Sequence, residues 1–180
     1  MSAPRHRAPR RRESGAGPED GRQRAETGGI TIEPDHERAL GIRPTVSAVI
    51  FDRKGRLLLQ QRSDGGQWGL PGGSMEIGES ATQAVEREVR EETGLDVRTR
   101  RLIGVYSDPT LQVVRYPDGN VWHYVSLCFE CTVRGGTLTT CDETLALDYF
   151  PLHRLPGTLL ANHRIRIRDA RARRTAAYAR

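Results

Sequence analysis

The sequence contains few cysteines and no long apolar run. Three cysteines among 180 residues are too few, and odd in number, for a disulfide framework. No apolar stretch approaches the ~20 residues that a membrane-spanning helix needs. The basic N-terminal segment has no apolar stretch of the kind found in secretory signals. These absences predict a reduced, cytoplasmic protein with no membrane partner.

The cysteines themselves do not form a recognisable metal site. Cys128 and Cys131 have the spacing of a metal-binding pair, but no second pair follows, and Cys141 stands alone. The surrounding pattern is that of a β-strand, in which residues three apart point to opposite faces. We therefore expect buried thiols rather than zinc ligands.

Lysine is almost absent, because Lys54 stands against 27 arginines, and the net charge of +5 is unevenly spread. Residues 1–29 carry a net +3 and residues 161–180 a net +6, whereas residues 30–160 carry a net −4. The pattern predicts a disordered basic tail over 1–29, a folded domain over 30–160 and a basic C-terminal helix or tail over 161–180. We interpret both basic segments as solvated, so nucleic acid is not an expected partner.

Hydrophobic alternation predicts one early helix, many strands and a terminal helix. The first two strands should form a hairpin around the turn at 52–55, and Pro117–Asn120 should close a second hairpin. The apolar run 124–129 should lie in the centre of a sheet. This order of elements predicts a mixed α/β sandwich, with strands and a last helix expected at 45–51, 57–62, 97–106, 111–116, 121–133, 145–150 and from 159 onward.

A helix with strong end signals lies between Ser80 and Gly94. Ser80 and Gln83 have the spacing of a capping box, in which each side chain bonds the other's backbone N–H. Gly94 suits the position just after the helix, where the backbone adopts a positive φ. Apolar residues between these ends recur at helical spacing and predict one buried face.

Three glutamates share one face of this helix. Glu88, Glu91 and Glu92 are separated by three and four residues, so their carboxylates are neighbours. Like charges at this spacing destabilise a helix by roughly 0.2–0.5 kcal/mol per pair. A divalent cation with oxygen ligands would reverse that effect, whereas an ordinary charged, solvated helix face is the alternative interpretation.

The helix and the loop before it match one extended motif, G-x5-E-x7-R-E-U-x-E-E-x-G-U, in which U is aliphatic. Every fixed position agrees: Gly73, Glu79, Arg87, Glu88, Val89, Glu91, Glu92, Gly94 and Leu95. In this motif the chain resembles the Nudix hydrolase family, including MutT-like and ADP-ribose pyrophosphatase-type members. The resemblance covers about residues 44–156.

The resemblance implies an α/β/α sandwich with a mixed sheet, and a hydrolase that depends on Mg²⁺ or Mn²⁺. Such enzymes cleave the diphosphate bond of a nucleoside diphosphate linked to another moiety. The substrate is therefore a small molecule, with ADP-ribose or a nucleotide sugar favoured. An oxidised nucleoside triphosphate is the alternative substrate, and a nucleotide-binding sensor that does not hydrolyse its ligand is the alternative function. A homodimer is left open.

The matching positions also carry the family's residue roles. The metal would be held by the carbonyl of Gly72 and by Glu91 and Glu92, with Glu88 as general base or shared ligand. Arg87 would orient the carboxylates, and Glu79 and Gly73 would support the metal shell. Glu143 is a second candidate for base or ligand, against an exposed loop carboxylate.

The residues that select the substrate are less well marked. Gln61 and Arg62 end a strand that should point towards the motif loop, and Arg62 suits contact with phosphate. Trp68, Tyr106 and Trp122 would either stack on a nucleobase or fill the core. Pro109 lies close to the position of a proline found in ADP-ribose-type members of the family.

Overall fold

The computed structural model describes residues 29–180. The disordered tail expected over 1–29 therefore lies almost entirely outside the described residues. The elements in chain order are β1 (Thr31–Ile32), a 3₁₀ turn (His36–Arg38), β2 (Ile42–Ile50), β3 (Leu57–Arg62), β4 (Trp68–Gly69), α1 (Ala81–Thr93), β5 (Leu95–Tyr106), α2 (Pro109–Gln112), β6 (Val113–Arg115), β7 (Val121–Gly136), β8 (Thr144–Phe150), α3 (Ala161–Arg171) and β9 (Tyr178–Ala179).

The larger sheet is built around β7, the longest strand. One edge of β7 pairs antiparallel with β5, while its other edge pairs with β6 and then, in parallel, with β2. Strands β1 and β9 extend the sheet from β6 and β5. A smaller antiparallel sheet has the order β4-β3-β8. The mixed sheet and the central place of 124–129 are as predicted from the sequence, and so is the hairpin at 117–120.

The first predicted hairpin is wrong, because β2 and β3 belong to different sheets. The turn itself forms, with Asp52 accepting backbone N–H bonds from Lys54 and Arg56. Beyond a single bridge between Phe51 and Leu57, the strands diverge, and β2 pairs with β7 while β3 pairs with β4 and β8. Five consecutive residues of β2 are buried, so both of its faces are covered.

Alternate residues of the strands pack against opposite helices. On β2, Val46, Ala48 and Ile50 face α1, whereas Val49 faces α3. On β7, Cys131 lies on the α1 side and Cys128 on the α3 side. Both thiols are buried and form no disulfide, as expected from the strand pattern. The chain is thus a layered α/β/α sandwich, and each fully buried Val or Leu in it contributes about 1.5–3 kcal/mol.

The C-terminal segment is packed onto the larger sheet rather than solvated. Ile167 and Ala170 of α3 are buried against it, and β9 adds a parallel strand to β5. Asp169 is 2% exposed and accepts hydrogen bonds from Tyr106 and Arg180. The expected solvated tail is therefore wrong for this segment, because buried apolar residues alternate with its arginines. Within residues 29–180, no helix combines the length and apolar character needed to cross a bilayer.

Gly94, at the end of α1, should resist substitution. Its φ is +70°, and an added Cβ would collide with the carbonyl oxygen of Thr137. We expect Gly94→Ala to lower the free energy of unfolding by about 1–3 kcal/mol for the backbone strain, and further for the collision. Gly55→Ala is the matched control, since Gly55 has a φ of +74° but open space around it. Equal losses in urea unfolding of the two variants would contradict the predicted collision.

Candidate active site

Both ends of α1 are fixed by the signals seen in the sequence. The Ser80 N–H donates to Gln83 Oε1 (2.9 Å), and the Gln83 N–H donates to Ser80 Oγ (3.3 Å). Gly94 adopts the left-handed conformation, and its N–H donates to the carbonyl of Arg90. With both ends defined, the angular positions of the glutamates along the helix are set.

Arg87 binds the carboxylates of three glutamates. Its Nε and Nη2 donate to the two oxygens of Glu79 (3.0 and 2.8 Å). Its Nη1 donates to Glu88 Oε1 and to Glu91 Oε2, each at 3.0 Å. Nη2 also reaches the carbonyl of Ser74 at 3.1 Å. One guanidinium therefore holds the helix face and the preceding loop together, and the bidentate bond to Glu79 anchors it.

The glycine loop before α1 fits closely against the remaining carboxylates. The Gly72 N–H donates to Glu92 Oε2 at 2.6 Å. Gly72 has a φ of +139°, and an added Cβ would overlap the backbone of Val46. A Cβ on Gly73 would lie 2.7 Å from Glu88 Oε2. Neither position has room for a side chain, which is why the chain places two glycines here.

The carboxylates are held in different electrostatic environments. Burial raises the pKa of Glu92, which is 5% exposed, to about 7. Burial also raises the pKa of Glu88, and the negative charges of Glu91 and Glu143 add to this effect although Arg87 opposes it. The hydrogen bond from Arg87 lowers the pKa of Glu79. The positive charge near Glu88 and Glu92 therefore does not fully offset the effect of burial on their pKa values.

The residues at this site fit a hard divalent cation, although they do not form a ready-made metal shell. Within residues 29–180, no three acidic, histidine or cysteine groups converge closely enough to hold a metal. The reason is local: Glu91 is turned towards Arg87, and Glu92 towards the Gly72 N–H. The candidate donors are carboxylate oxygens and the carbonyl oxygen of Gly72, and oxygen is the ligand type that Mg²⁺ and Mn²⁺ prefer. Glu88 and Glu92 lack enough neighbouring positive charge to offset their burial, and a bound cation would supply it.

The glutamates line one wall of a cleft of about 870 Å³, a size suited to a small-molecule ligand. Most of the site residues predicted from the sequence are brought together there: Arg62, Gly72, Gly73, Arg87, Glu88, Glu91, Glu92 and Glu143. Glu79 is not among the lining residues that the structure describes, but reaches the site through Arg87. Arg62 lies in the cleft with its guanidinium bound to both oxygens of Asp64, at 3.0 and 2.6 Å.

Three residues proposed for substrate binding lie elsewhere in the part of the chain that is described. The Gln61 amide is turned away and donates to the carbonyl of Gly66 at 2.9 Å. Trp68 packs edge-on against Phe150, with ring centroids 4.9 Å apart. Tyr106 is 1% exposed, so its ring fills the core beneath the cleft. Gln61 precedes Arg62 on β3, and of the two only Arg62 is among the described residues that line the cleft.

The cleft is also lined by two tyrosines that the sequence did not single out. Tyr116 and Tyr124 lie on either side of the 117–120 hairpin, and their hydroxyls share a hydrogen bond of 2.8 Å. Trp122, which the sequence did single out, also lines the cleft, with the guanidinium of Arg43 3.4 Å from its ring centroid. The hairpin signal was visible in the sequence, but not the fact that the hairpin and α1 line the same cleft.

The metal-free protein should lose stability as the Glu92 carboxyl ionises. Its pKa is about 7 in the folded chain, against 4.5 for the unperturbed group. The native state therefore keeps a proton that the unfolded state releases, and the free energy of unfolding falls as pH rises through this interval. One group shifted this far accounts for about 3 kcal/mol.

Glu92→Gln removes this titration and provides the test. Relative to wild type, the metal-free variant should gain about 3 kcal/mol in free energy of unfolding between pH 4 and pH 8, measured by urea unfolding. Saturating Mg²⁺ should reduce the decline in wild type, since a cation favours the ionised carboxylate. Parallel pH curves for variant and wild type would show that Glu92 is not the titrating group.

Comparison with known proteins agrees with the geometry of the site. The model of the NUDIX domain family matches residues 41–173. A MutT-like protein of Streptomyces ambofaciens is 34% identical, over 70% of this chain and 75% of the relative. An ADP-ribose pyrophosphatase of Methanocaldococcus jannaschii is 37% identical, over 64% of this chain and 66% of the relative.

Solved structures lead to the same family. The crystal structure of an ADP-ribose pyrophosphatase from Streptococcus suis superposes with a TM-score of 0.60 at 27% identity, covering 77% of this chain and 97% of that one. The family match extends over α1 and its glycine loop and continues through α3. This chain belongs to the Nudix hydrolase family and is an enzyme that acts on pyrophosphate bonds.

Proposed function

We propose that this enzyme hydrolyses the diphosphate bond of a nucleoside diphosphate linked to another moiety, with ADP-ribose or a nucleotide sugar as the favoured substrate. The observation that carries the proposal is the chemical division of the cleft. Its lining includes both the carboxylates of α1 and the rings of Tyr116 and Tyr124. A molecule with a charged diphosphate and an aromatic base matches both at once. ADP-ribose pyrophosphatases among the relatives support the preference for ADP-ribose.

Glu88, Glu91 and Glu92, together with the carbonyl of Gly72, are the groups we assign to hold Mg²⁺ or Mn²⁺. The cation would neutralise the diphosphate oxygens and make water more acidic. Arg87 fixes the directions of Glu88 and Glu91 by donating to both. Hydrolysis of this kind depends mainly on positioning and on charge neutralisation.

Glu88 is our choice for the general base. Burial raises the pKa of Glu88, and a carboxylate with a higher pKa is a stronger base towards water. Glu143 lines the same cleft and its charge acts on Glu88, so it remains the second candidate for base or ligand. Glu79 and Gly73 have supporting roles, the first through Arg87 and the second by leaving space for the Glu88 carboxylate.

In this proposal the nucleoside binds beside the two tyrosines that line the cleft. Tyr116 and Tyr124 form an edge-to-face pair, with centroids 6.4 Å apart, beside the apolar side chains of Val114 and Leu160. A nucleobase gains from stacking and burial in such surroundings. Arg62 remains a candidate for phosphate contact from the same cleft. A homodimer and a cytoplasmic location stay predictions.

Glu88→Gln tests the assigned chemistry. Phosphate or nucleotide release would be measured on ADP-ribose, nucleotide sugars, NADH, dinucleoside polyphosphates and oxidised nucleoside triphosphates, with Mg²⁺ and with Mn²⁺. On the best substrate, we expect Glu88→Gln to lower kcat about 10²–10⁴-fold, since the amide cannot accept a proton. EDTA should abolish turnover in wild type.

Glu86→Gln is the matched control on the same helix. Glu86 accepts a hydrogen bond from the Thr99 N–H, and glutamine keeps that acceptor. Unchanged kcat in Glu86→Gln beside the loss in Glu88→Gln would support the assignment. Equal activity of all three proteins would refute the role of Glu88. If oxidised nucleoside triphosphates were hydrolysed fastest, they would be the substrate class. Metal-independent binding of nucleotides without hydrolysis would favour a nucleotide-binding sensor.

A further inference from the structure

A buried arginine lies in the cleft without a counter-ion in the described part of the chain. Arg166 of α3 is 4% exposed and lines the cleft. Its Nη1 donates to Ser47 Oγ at 3.3 Å, and its Nη2 to Gln112 Oε1 at 2.8 Å. Both acceptors are neutral, and Nε has no hydrogen-bond partner within residues 29–180. The ring of Tyr106, whose centroid is 5.7 Å from the guanidinium carbon, is neutral as well. Buried charges are normally paired, because desolvation without compensation is costly.

The first turn of α3 adds positive potential beside Arg166. The helix begins after Leu160, whose side chain cannot cap it, so its first N–H groups receive no side-chain bond. Leu160 and Asn162, at this end of the helix, both line the cleft. A helix N-terminus carries a partial charge equivalent to roughly +0.5. A helix start without a side-chain cap and a guanidinium without a counter-ion among residues 29–180 therefore both line the cleft.

His163 contributes a further donor. Its Nδ1 accepts the Leu70 N–H at 2.8 Å, so that ring nitrogen carries no proton. Burial lowers the pKa of His163 well below its usual range, with the charges of Arg166 and Arg62 adding to the effect. The ring is therefore neutral and has its proton on Nε2. His163 also lines the cleft, which makes this wall rich in donors and poor in acceptors.

We propose that Arg166, Asn162 and the first turn of α3 form a subsite that binds phosphoryl oxygens of the substrate directly, without a metal ion. The two walls of the cleft are then complementary. The α1 wall is negative and repels phosphate unless a cation is present, whereas the α3 wall is positive and attracts it. That the phosphoryl group belongs to a nucleoside diphosphate compound rests on the proposed function. The subsite would hold one end of the diphosphate while the α1 wall acts on the bond.

Phosphate binding in the absence of metal provides the test. Isothermal titration calorimetry of the full chain in EDTA would use inorganic phosphate, AMP and adenosine as probes. We expect wild type to bind phosphate and AMP, and Arg166→Gln to bind both roughly ten- to a hundredfold more weakly, because a charge-assisted hydrogen bond is lost. Arg168→Gln is the matched control, since Arg168 lies two residues further along α3 and is exposed. It should bind as wild type does.

Asn162→Asp keeps the test valid if Arg166→Gln does not fold. Asn162 and Arg166 are four residues apart on α3, so the new carboxylate can pair with the guanidinium and also favours the helix N-terminus. We expect this variant to unfold at the same or a higher temperature than wild type and yet to lose phosphate binding. Loss of binding in a protein at least as stable as wild type cannot be attributed to misfolding.

The outcomes separate this proposal from the proposed function. Metal-free phosphate binding that falls in Asn162→Asp supports the subsite, even if no member of the substrate panel is hydrolysed. Undetectable phosphate binding by metal-free wild type, or binding unchanged in both variants, would overturn it. Adenosine binding as tight as that of AMP, and equally sensitive to Arg166→Gln, would also overturn it, since Arg166 would then recognise the nucleoside. Mg²⁺-dependent turnover is measured separately and is not decided by either result.

Discussion

The structure depends on holding several carboxylates close together where they are partly shielded from water. Glu88 and Glu92 are buried enough to raise their pKa values, and Glu91 lies on the same helix face. Such an arrangement is unfavourable by itself, because like charges repel and burial penalises ionisation. Arg87 offsets part of this cost by binding three glutamates. The remaining deficit of positive charge is what a bound cation would neutralise in the proposed function.

The fold serves this site by fixing α1 and the glycine loop against the same strand. Val46 packs under α1, and its N–H donates to the carbonyl of Gly73. The opposite face of β2 presents Ser47 to Arg166 of α3. One strand therefore connects the negative and positive walls of the cleft, and the alternation of its side chains separates them.

Local signals in the sequence were sufficient to predict α1, but not the sheet pairing and packing around it. The capping box, the glutamate spacing and Gly94 are encoded within fifteen residues, so the helix and its charged face could be predicted. The sheet partners of β2 and β3 depend on contacts with β7 and β8, far away in sequence, and the predicted hairpin between them was wrong. The composition of residues 161–180 predicted a solvated basic segment that included Arg166. Composition alone does not show which arginines of a helix are buried. The positions of Gln61, Trp68 and Tyr106 likewise follow from packing that the sequence does not display.

The pairing of β2 with β7 also bears on how the chain folds. Thr45 and Ser126, bonded to each other across these strands, are 81 residues apart in sequence. Loops of that size must close before the parallel pairing stabilises anything, and topologies rich in such contacts fold slowly. During synthesis α1 leaves the ribosome well before β7 does, so its apolar face has no completed sheet to cover it. Charged residues beside an uncovered apolar segment lower its tendency to aggregate, and α1 carries such residues on its other face.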